Sequence, residues 1–414
     1  MSLDAADLLD RFLRYVQIDT RPDPASPTCP STPVQWELLR LLQRELHELG
    51  AADVELTEHG YVLATIPATS ATPAPVIAWC AHVDTAPNLP SAAKPIVHRA
   101  YAGRPIVLPD DPTQTLTVET TPFLRDAIGQ DVITASGTTL LGADDKAGVA
   151  IVMAAARHLL RNPGIPHGKI RLCFNPDEEI ARGMTKLDLA QLGAQFAYTL
   201  DGAERGEICF ETFSADAAKV EITGVAAHPG WAKDVMVNAL RLAGRFLAAL
   251  PMAQSPERTG DREGFIHPVS CTGSAEQATL RFILRDFELA GLAAHRATLE
   301  RIAAELRAAE PKARIEVQFT EQYRNMRYWL EHDMRPVHLA EEAARRAGVT
   351  PFAQPIRGGT DGSNLTQRGL PTPNIFTGMH EVHSQREWVT LQDMEKATET
   401  LLHLAQLWAE SPRA

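Results

Sequence analysis

The chain has 414 residues, 44% of them hydrophobic, 22% charged and only 6% aromatic, with a formal net charge of -12. That length exceeds one ordinary core and predicts two domains. The acidic balance argues against nucleic acid or an anionic membrane as partner, because neither rewards a negative surface.

The N-terminal stretch MSLDAADLLDRFLRYV reads as an amphipathic helix with acids among its apolar positions, unlike a secretory signal. Next, VQWELLRLLQRELHEL (34 to 49) has helical periodicity and ends at Gly50, and VIAWCAHV (76 to 83) is a nearly continuous apolar run that predicts a buried strand. The segment from 86 to 138 is rich in Pro, Thr and Asp and suggests a hairpin excursion. Helix 147 to 160, strand 169 to 174 and a strand-into-turn at 194 to 202 follow. The longest apolar run, AGVAIVMAAA, stops at Arg157 and is too short to cross a bilayer. Helices alternating with buried strands predict an α/β fold with a mixed, largely parallel sheet flanked by helices, in which ligands collect beyond the carboxyl ends of the strands.

After about residue 213 the order becomes β-α-β-β-α-β: AAKVEITG, MVNALRLAGRFLAAL, runs around FIHPVSC and ATLRFILRDF, helix 289 to 308, and ARIEVQFT. This is the pattern of a small split βαβ, ferredoxin-like α+β domain. From about 324 the helix and strand alternation resumes. The expected organisation is therefore residues 1 to 212 and 324 to 414 as one domain, with 213 to 323 inserted. Five scattered cysteines, odd in number and without a CxxC pair (Cys29, Cys80, Cys173, Cys209, Cys271), fit a reducing cytoplasm.

Acids and histidines recur at the predicted strand ends. His82 and Asp84 form H-x-D after VIAWCA, a spacing that puts both on one face of extended chain; an Asp so placed can accept the spare N–H of a metal-ligating His, although a short polar turn would look the same. LLGADDKAG (140 to 148) is not a phosphate loop, since Lys146 is not followed by Ser or Thr. Its Asp144 and Asp145 read equally as acids at a helix N-terminus. FNPDEE (174 to 179) sets three carboxylates in a row after a core strand, and Asp201 ends another. Carboxylate oxygen with imidazole nitrogen suits divalent zinc, cobalt or manganese, and two cations sharing one carboxylate explain why so many acids converge. Glu179 can then be a ligand while Glu178 stays free as a base; Asp177 is expected to cap or face solvent.

The motifs HVDT, LLGADDKAG, PDEE, HPG, VMVNAL, RDF, IRGGTDG and NIFTG together resemble the peptidase T family, tripeptide aminopeptidases of the co-catalytic zinc exopeptidase group, from about residue 10 to 405. The resemblance implies two divalent metal ions, zinc first with cobalt or manganese as alternatives. It also implies that His82 and Asp201 hold one ion, Glu179 and His383 the other, Asp144 both, with Asp84 orienting His82, Glu178 acting as general base, and a cis peptide after Asp144. It further implies a homodimer formed through the inserted domain, which would also serve as a lid, with His228 reaching the neighbouring subunit's site, and it places Asn238, Arg285 and Arg357 at the substrate, a short peptide whose terminal carboxylate suits guanidinium forks. Ordinary salt bridges explain a single arginine as well. HEVH (380 to 383) is one residue short of H-E-x-x-H; alignment with the family selects His383, where Ser384 replaces the family's Gly and His380 stands as a possible assistant. The remaining ten histidines are expected to be structural or solvent-facing. The alternative functions are a dipeptidase or N-acyl amino acid deacylase of the same group, or a non-catalytic peptide-binding protein.

Overall fold

The computed structural model describes residues 3–411. It divides into two compact units, one comprising the chain to Phe210, Trp329–Gln354 and the chain from Thr360, the other Glu211–Tyr328 and Pro355–Gly359.

In the first unit a seven-stranded sheet runs in the order Ala52–Leu56, Val62–Ile66, Ile170–Asn175, Ile77–His82, Phe196–Gly202, Asn374–Phe376, Ile208–Cys209. The four central strands, Ile170–Asn175 through Asn374–Phe376, are joined by three parallel pairings, and the strands outside them pair antiparallel. This is the mixed, largely parallel sheet that the alternating elements predict. Strand residues alternate between two cores. Trp79 and Ala81 face a large one with helices Ala5–Tyr15, Gln35–Leu49, Ala143–Arg161, Arg335–Arg346 and Leu391–Glu410; Ala78, Cys80 and Cys173 face a smaller one with Met184, Leu187 and Leu365. Helix Ala143–Arg161 is buried on nearly all sides, which its run of small residues permits. At Gly148 a Cβ would lie 2.0 Å from Leu200 O and 2.3 Å from Asp145 Oδ1, so only glycine lets the helix approach the sheet that closely.

The Pro-rich stretch folds as an excursion: Ile96–His98 and Val132–Thr134 form a small antiparallel sheet with the distant Trp388–Thr390, and Ile106–Val107 pairs with Thr115–Leu116 as a hairpin. Trp388, Leu108, Leu116 and Leu124 give it a core of its own.

The second unit is an antiparallel sheet in the order Phe265–Gly273, Gln277–Asp286, Ser214–Thr223, Arg314–Tyr323. Helices Ala239–Ala248 and Leu289–Ala309 pack against it through Leu242, Phe246, Leu299 and Ile302. Pro355–Gly359 belongs here because Phe213 N donates to Ile356 O at 3.1 Å. Five residues paired so far along the chain leave no local signal, and the sequence reading missed them.

Candidate metal centre

The candidate groups gather at the carboxyl ends of the parallel strands, where a sheet of this topology leaves a crevice. His82 is the last residue of Ile77–His82, and Asp201 lies at the end of Phe196–Gly202. His82 Nε2 stands 3.1 Å from Asp144 Oδ1 and 3.7 Å from Asp201 Oδ1. On the other side of Asp144, its Oδ2 is 3.1 Å from His383 Nε2, which is also 3.0 Å from Glu179 Oε1. One aspartate thus sits between two imidazoles, each beside a further carboxylate. The Asp144–Asp145 peptide is cis.

Asp145 lies close enough to His82 and Asp201 to complete a donor triad with them. Its two oxygens, however, accept the backbone amides of His82 (3.2 Å) and Gly148 (3.2 Å), and it is fully buried. Asp144 is the better donor because its oxygens point at both imidazoles.

The FNPDEE turn distributes its three acids to three tasks. Asp177 adopts φ +63° and is fully buried, accepting from Ser31 N (2.7 Å), Ser31 Oγ (2.5 Å) and Gln35 Nε2 (2.7 Å). This corrects the expectation of a solvent-facing or capping Asp177: three donors from one distant segment satisfy the charge inside the protein. The amides of Glu178 and Glu179 donate to the two oxygens of Asp84 at 3.0 and 3.1 Å. Asp84 therefore fixes the turn, and the acceptor nearest His82 Nδ1 is the Asp84 backbone carbonyl at 3.1 Å, with its carboxylate at 3.4 Å.

Burial raises the proton affinity of the carboxyls, and Asp144 adds to the effect: Glu179 is pushed up to about 7 and Asp201 to about 6. Burial likewise raises Glu178 well above the usual carboxylate range. Asp144 goes the other way, since hydrogen bonds with His383 and His82 overcome its burial. A hydrogen bond with Asp144 and the Glu179 carboxylate 3.0 Å away hold His383 up at about 11. Although burial alone would lower it, Asp144 and Asp201 hold His82 well above its ordinary value.

A raised pKa means the folded chain binds the proton more tightly than the unfolded chain, so stability from that proton is present at low pH and is lost as pH rises through the folded value. For Asp201 the window runs from 3.8 to about 6, for Glu179 from 4.5 to about 7, and for His383 from 6.5 to about 11. A divalent ion competes with these protons. The gap in Tm between ion-loaded and chelator-treated protein is therefore expected to widen as pH is raised from about 5 to about 9; a gap independent of pH in thermal scans would contradict the assignment.

The donor set fits a metal pair. Glu179 Oε1 is buried yet accepts no hydrogen bond with proper geometry, although His383 Nε2 lies 3.0 Å away.

His380 is sandwiched between Phe123 (centroids 5.0 Å) and Trp388 (4.2 Å), and burial lowers its pKa to about 4. It stands outside both donor groups, so its part is to pack the turn that carries His383.

Four expected substrate residues lie on the second unit. His228 is exposed, its Nδ1 accepting from Gly230 N at 3.1 Å, with Trp231 tilted against it at 4.5 Å. Asn238 caps helix Ala239–Ala248 by accepting from Arg241 N at 3.2 Å, a structural task sufficient to explain it. Arg285 stacks on Tyr323 and donates to Leu284 O (3.0 Å) and Gln322 Oε1 (2.9 Å). Arg357 is engaged within its own unit: Nη1 donates to the carbonyls of Gly260, Asp261 and Glu263 at 2.7 to 2.9 Å, Nη2 bonds Thr259 Oγ1 at 3.1 Å, and Phe213 stacks beneath. In this conformation Arg357 holds the 259 to 263 loop.

Two supporting residues escaped the sequence reading. Asn374 Oδ1 accepts from Asp201 N at 3.0 Å, and Glu387 accepts from Gly142 N (2.7 Å) and Asp144 N (2.9 Å). Both lie at the far end of the chain from the residues they hold, where spacing carries no signal.

Imidazole and carboxylate donors paired about a shared aspartate, on strand ends of a largely parallel sheet, define the class of metal-dependent hydrolases. The pattern of peptidase family M20/M25/M40 matches residues 107–407. The chain is 44% identical over 405 residues to peptidase T of Geobacillus thermodenitrificans, covering 98% of each chain. It is 43% identical over 405 residues to peptidase T of Listeria monocytogenes, covering 98% of this chain and 99% of that one. The chain belongs to this peptidase family and, within it, to the peptidase T group. Its fold is shared with aminopeptidase PepT of Bacillus cereus (TM-score 0.75, 22% identity, 99% and 100% covered) and with a tripeptidase of Staphylococcus aureus (TM-score 0.74, 22% identity, 99% and 100% covered).

Proposed function

We propose that this chain is a metal-dependent aminopeptidase that releases the N-terminal residue of tripeptides. The observation that carries the chemistry is the pairing of two donor groups through Asp144 with Glu178, whose backbone is pinned by Asp84 while its carboxyl makes no hydrogen bond among the described residues. A ligand set has no use for such a group, whereas hydrolysis needs one.

His82, Asp144 and Asp201 would hold one divalent ion and Asp144, Glu179 and His383 the other. When bound, such a pair polarises the scissile carbonyl and lowers the pKa of water. Glu178 takes a proton from the attacking water on its carboxyl oxygen and delivers it to the departing amine. Burial raises its proton affinity above that of an ordinary carboxylate, which makes the ionised group a stronger base toward water. Asp84 keeps Glu178 and Glu179 in register by holding their consecutive amides, and Asn374 does the same for Asp201.

Zinc as the resident ion, a homodimer in which the second unit supplies His228 to its partner's site, the inserted segment as dimerisation and lid domain, and a cytoplasmic location belong to the same proposal. Free cysteines without a disulfide support the compartment, and exposed Trp231 (77%) and Met252 (72%) on the second unit support an interface. Among the described residues no helix is long and apolar enough to cross a membrane. The substrate class is tested by chelating the protein, restoring zinc, cobalt or manganese, and comparing a free tripeptide with its N-acetylated form. Cleavage of the free peptide alone is expected; preferential cleavage of the acetylated one would move the assignment to a deacylase.

A further inference from the structure

Glu387 is 1% exposed and lies four residues beyond His383, immediately before the Trp388–Thr390 strand. Its Oε2 accepts from Gly142 N at 2.7 Å and its Oε1 from Asp144 N at 2.9 Å. These amides open helix Ala143–Arg161, whose N-cap position is Gly142 in the left-handed region, with no side chain of its own to cap. Asp144 and Asp145 depart from helical backbone there, at ψ 102° and 32°. Locally the turn is held by Lys146 N, which donates to Gly142 O at 3.2 Å, and by Asp145, which accepts from Gly148 N at 3.2 Å, but the amides of Gly142 and Asp144 are met by a carboxylate 243 residues beyond Asp144 along the chain.

We propose that Glu387 is a positioning residue of the metal centre: it clamps the Gly142–Asp144 turn in two places and ties that turn to the one carrying His383, so that Asp144 faces both imidazoles at once. The proposal rests on reading Asp144 as the ligand common to both ions.

Geometry explains why a glutamate serves. A carboxyl group offers an acceptor oxygen to each of two amides. Glutamine offers one carbonyl oxygen and would turn its own N–H donors toward the second amide. Alanine would leave two amide donors unpaired. The same helix turn carries a buried cation, Lys146, whose ammonium donates to Ile18 O at 2.7 Å.

The test titrates chelator-treated full-length protein with cobalt(II), following the d–d absorption, for the native chain, Glu387→Gln and Glu387→Ala. The control is Glu45→Gln, which disturbs a comparably buried carboxylate bonded to Tyr15 Oη (2.5 Å) and Arg14 (2.6 Å) in the N-terminal helices. The expected result is that Glu387→Gln weakens cobalt binding at both positions by about 10- to 100-fold, with an altered d–d band and a metal-free Tm no lower than that of Glu45→Gln, and that Glu45→Gln binds cobalt as the native chain does. Unchanged cobalt affinity in Glu387→Gln, or an equal loss in Glu45→Gln, would overturn the proposal while leaving the functional reading intact. A native chain that takes up no cobalt would overturn both. Should Glu387→Ala not fold, the glutamine variant alone decides.

Discussion

Replacing Glu178 by Gln is expected to lower kcat by roughly 10²- to 10⁴-fold while leaving both metal ions bound. The substitution keeps the size of the side chain and the backbone amide that donates to Asp84, so the turn that presents Glu179 stays in place. What it removes is the oxygen that accepts a proton. Because the carboxyl takes no part in the two donor groups, metal content by atomic emission should match that of the native chain. KM should change little, since the loss falls on a step after binding. A variant that loses its metal together with its turnover would make Glu178 a ligand and leave the reaction without its base.

Asp144→Asn should act in the opposite sense, removing both ions and activity together. Its two oxygens face different imidazoles, at 3.1 Å each. An amide offers only one oxygen and presents N–H donors to the other partner. Each proposed group thus loses or weakens one of its three protein donors. The same change removes the charge that, with Glu179, holds His383 at about 11, so the imidazole should titrate closer to its ordinary value in the chelated variant. The Glu387 clamp grips the Asp144 backbone, which the substitution leaves alone. Far-ultraviolet dichroism should therefore stay native while cobalt uptake and turnover fall. Retention of one tightly held ion with native affinity would contradict the shared-ligand assignment.

Residues that meet at strand ends were legible from sequence wherever local pattern located the strand. VIAWCAHV places His82 at the end of a buried run, and the acids after KIRLCF and AYTL follow by the same argument. Asp177 was not legible. Three acids in a row imply a solvated turn until Ser31 and Gln35, more than a hundred residues away in sequence, are known to reach it. Glu387 and Asn374 failed for the same reason, because their partners are fixed by tertiary folding and no periodicity announces them. Arg357 was open to two readings in the sequence, a structural partner or a substrate clamp, and the carbonyls of the 259 to 263 loop that engage it lie almost a hundred residues away, where no local pattern points to them. The fold class depended on the alternation of buried strands and helices, which survives without such knowledge. The membership of Pro355–Gly359 in the second unit depended on one distant pairing, which does not.

The most direct measurement is product analysis by mass on a matched series of unblocked di-, tri- and tetrapeptides, using protein from which metal has been removed and then restored. The account predicts metal-dependent release of the free N-terminal residue and a dipeptide from the tripeptide, with its neighbours in length left largely intact. Cleavage confined to dipeptides, or intact peptides under every metal, would contradict it.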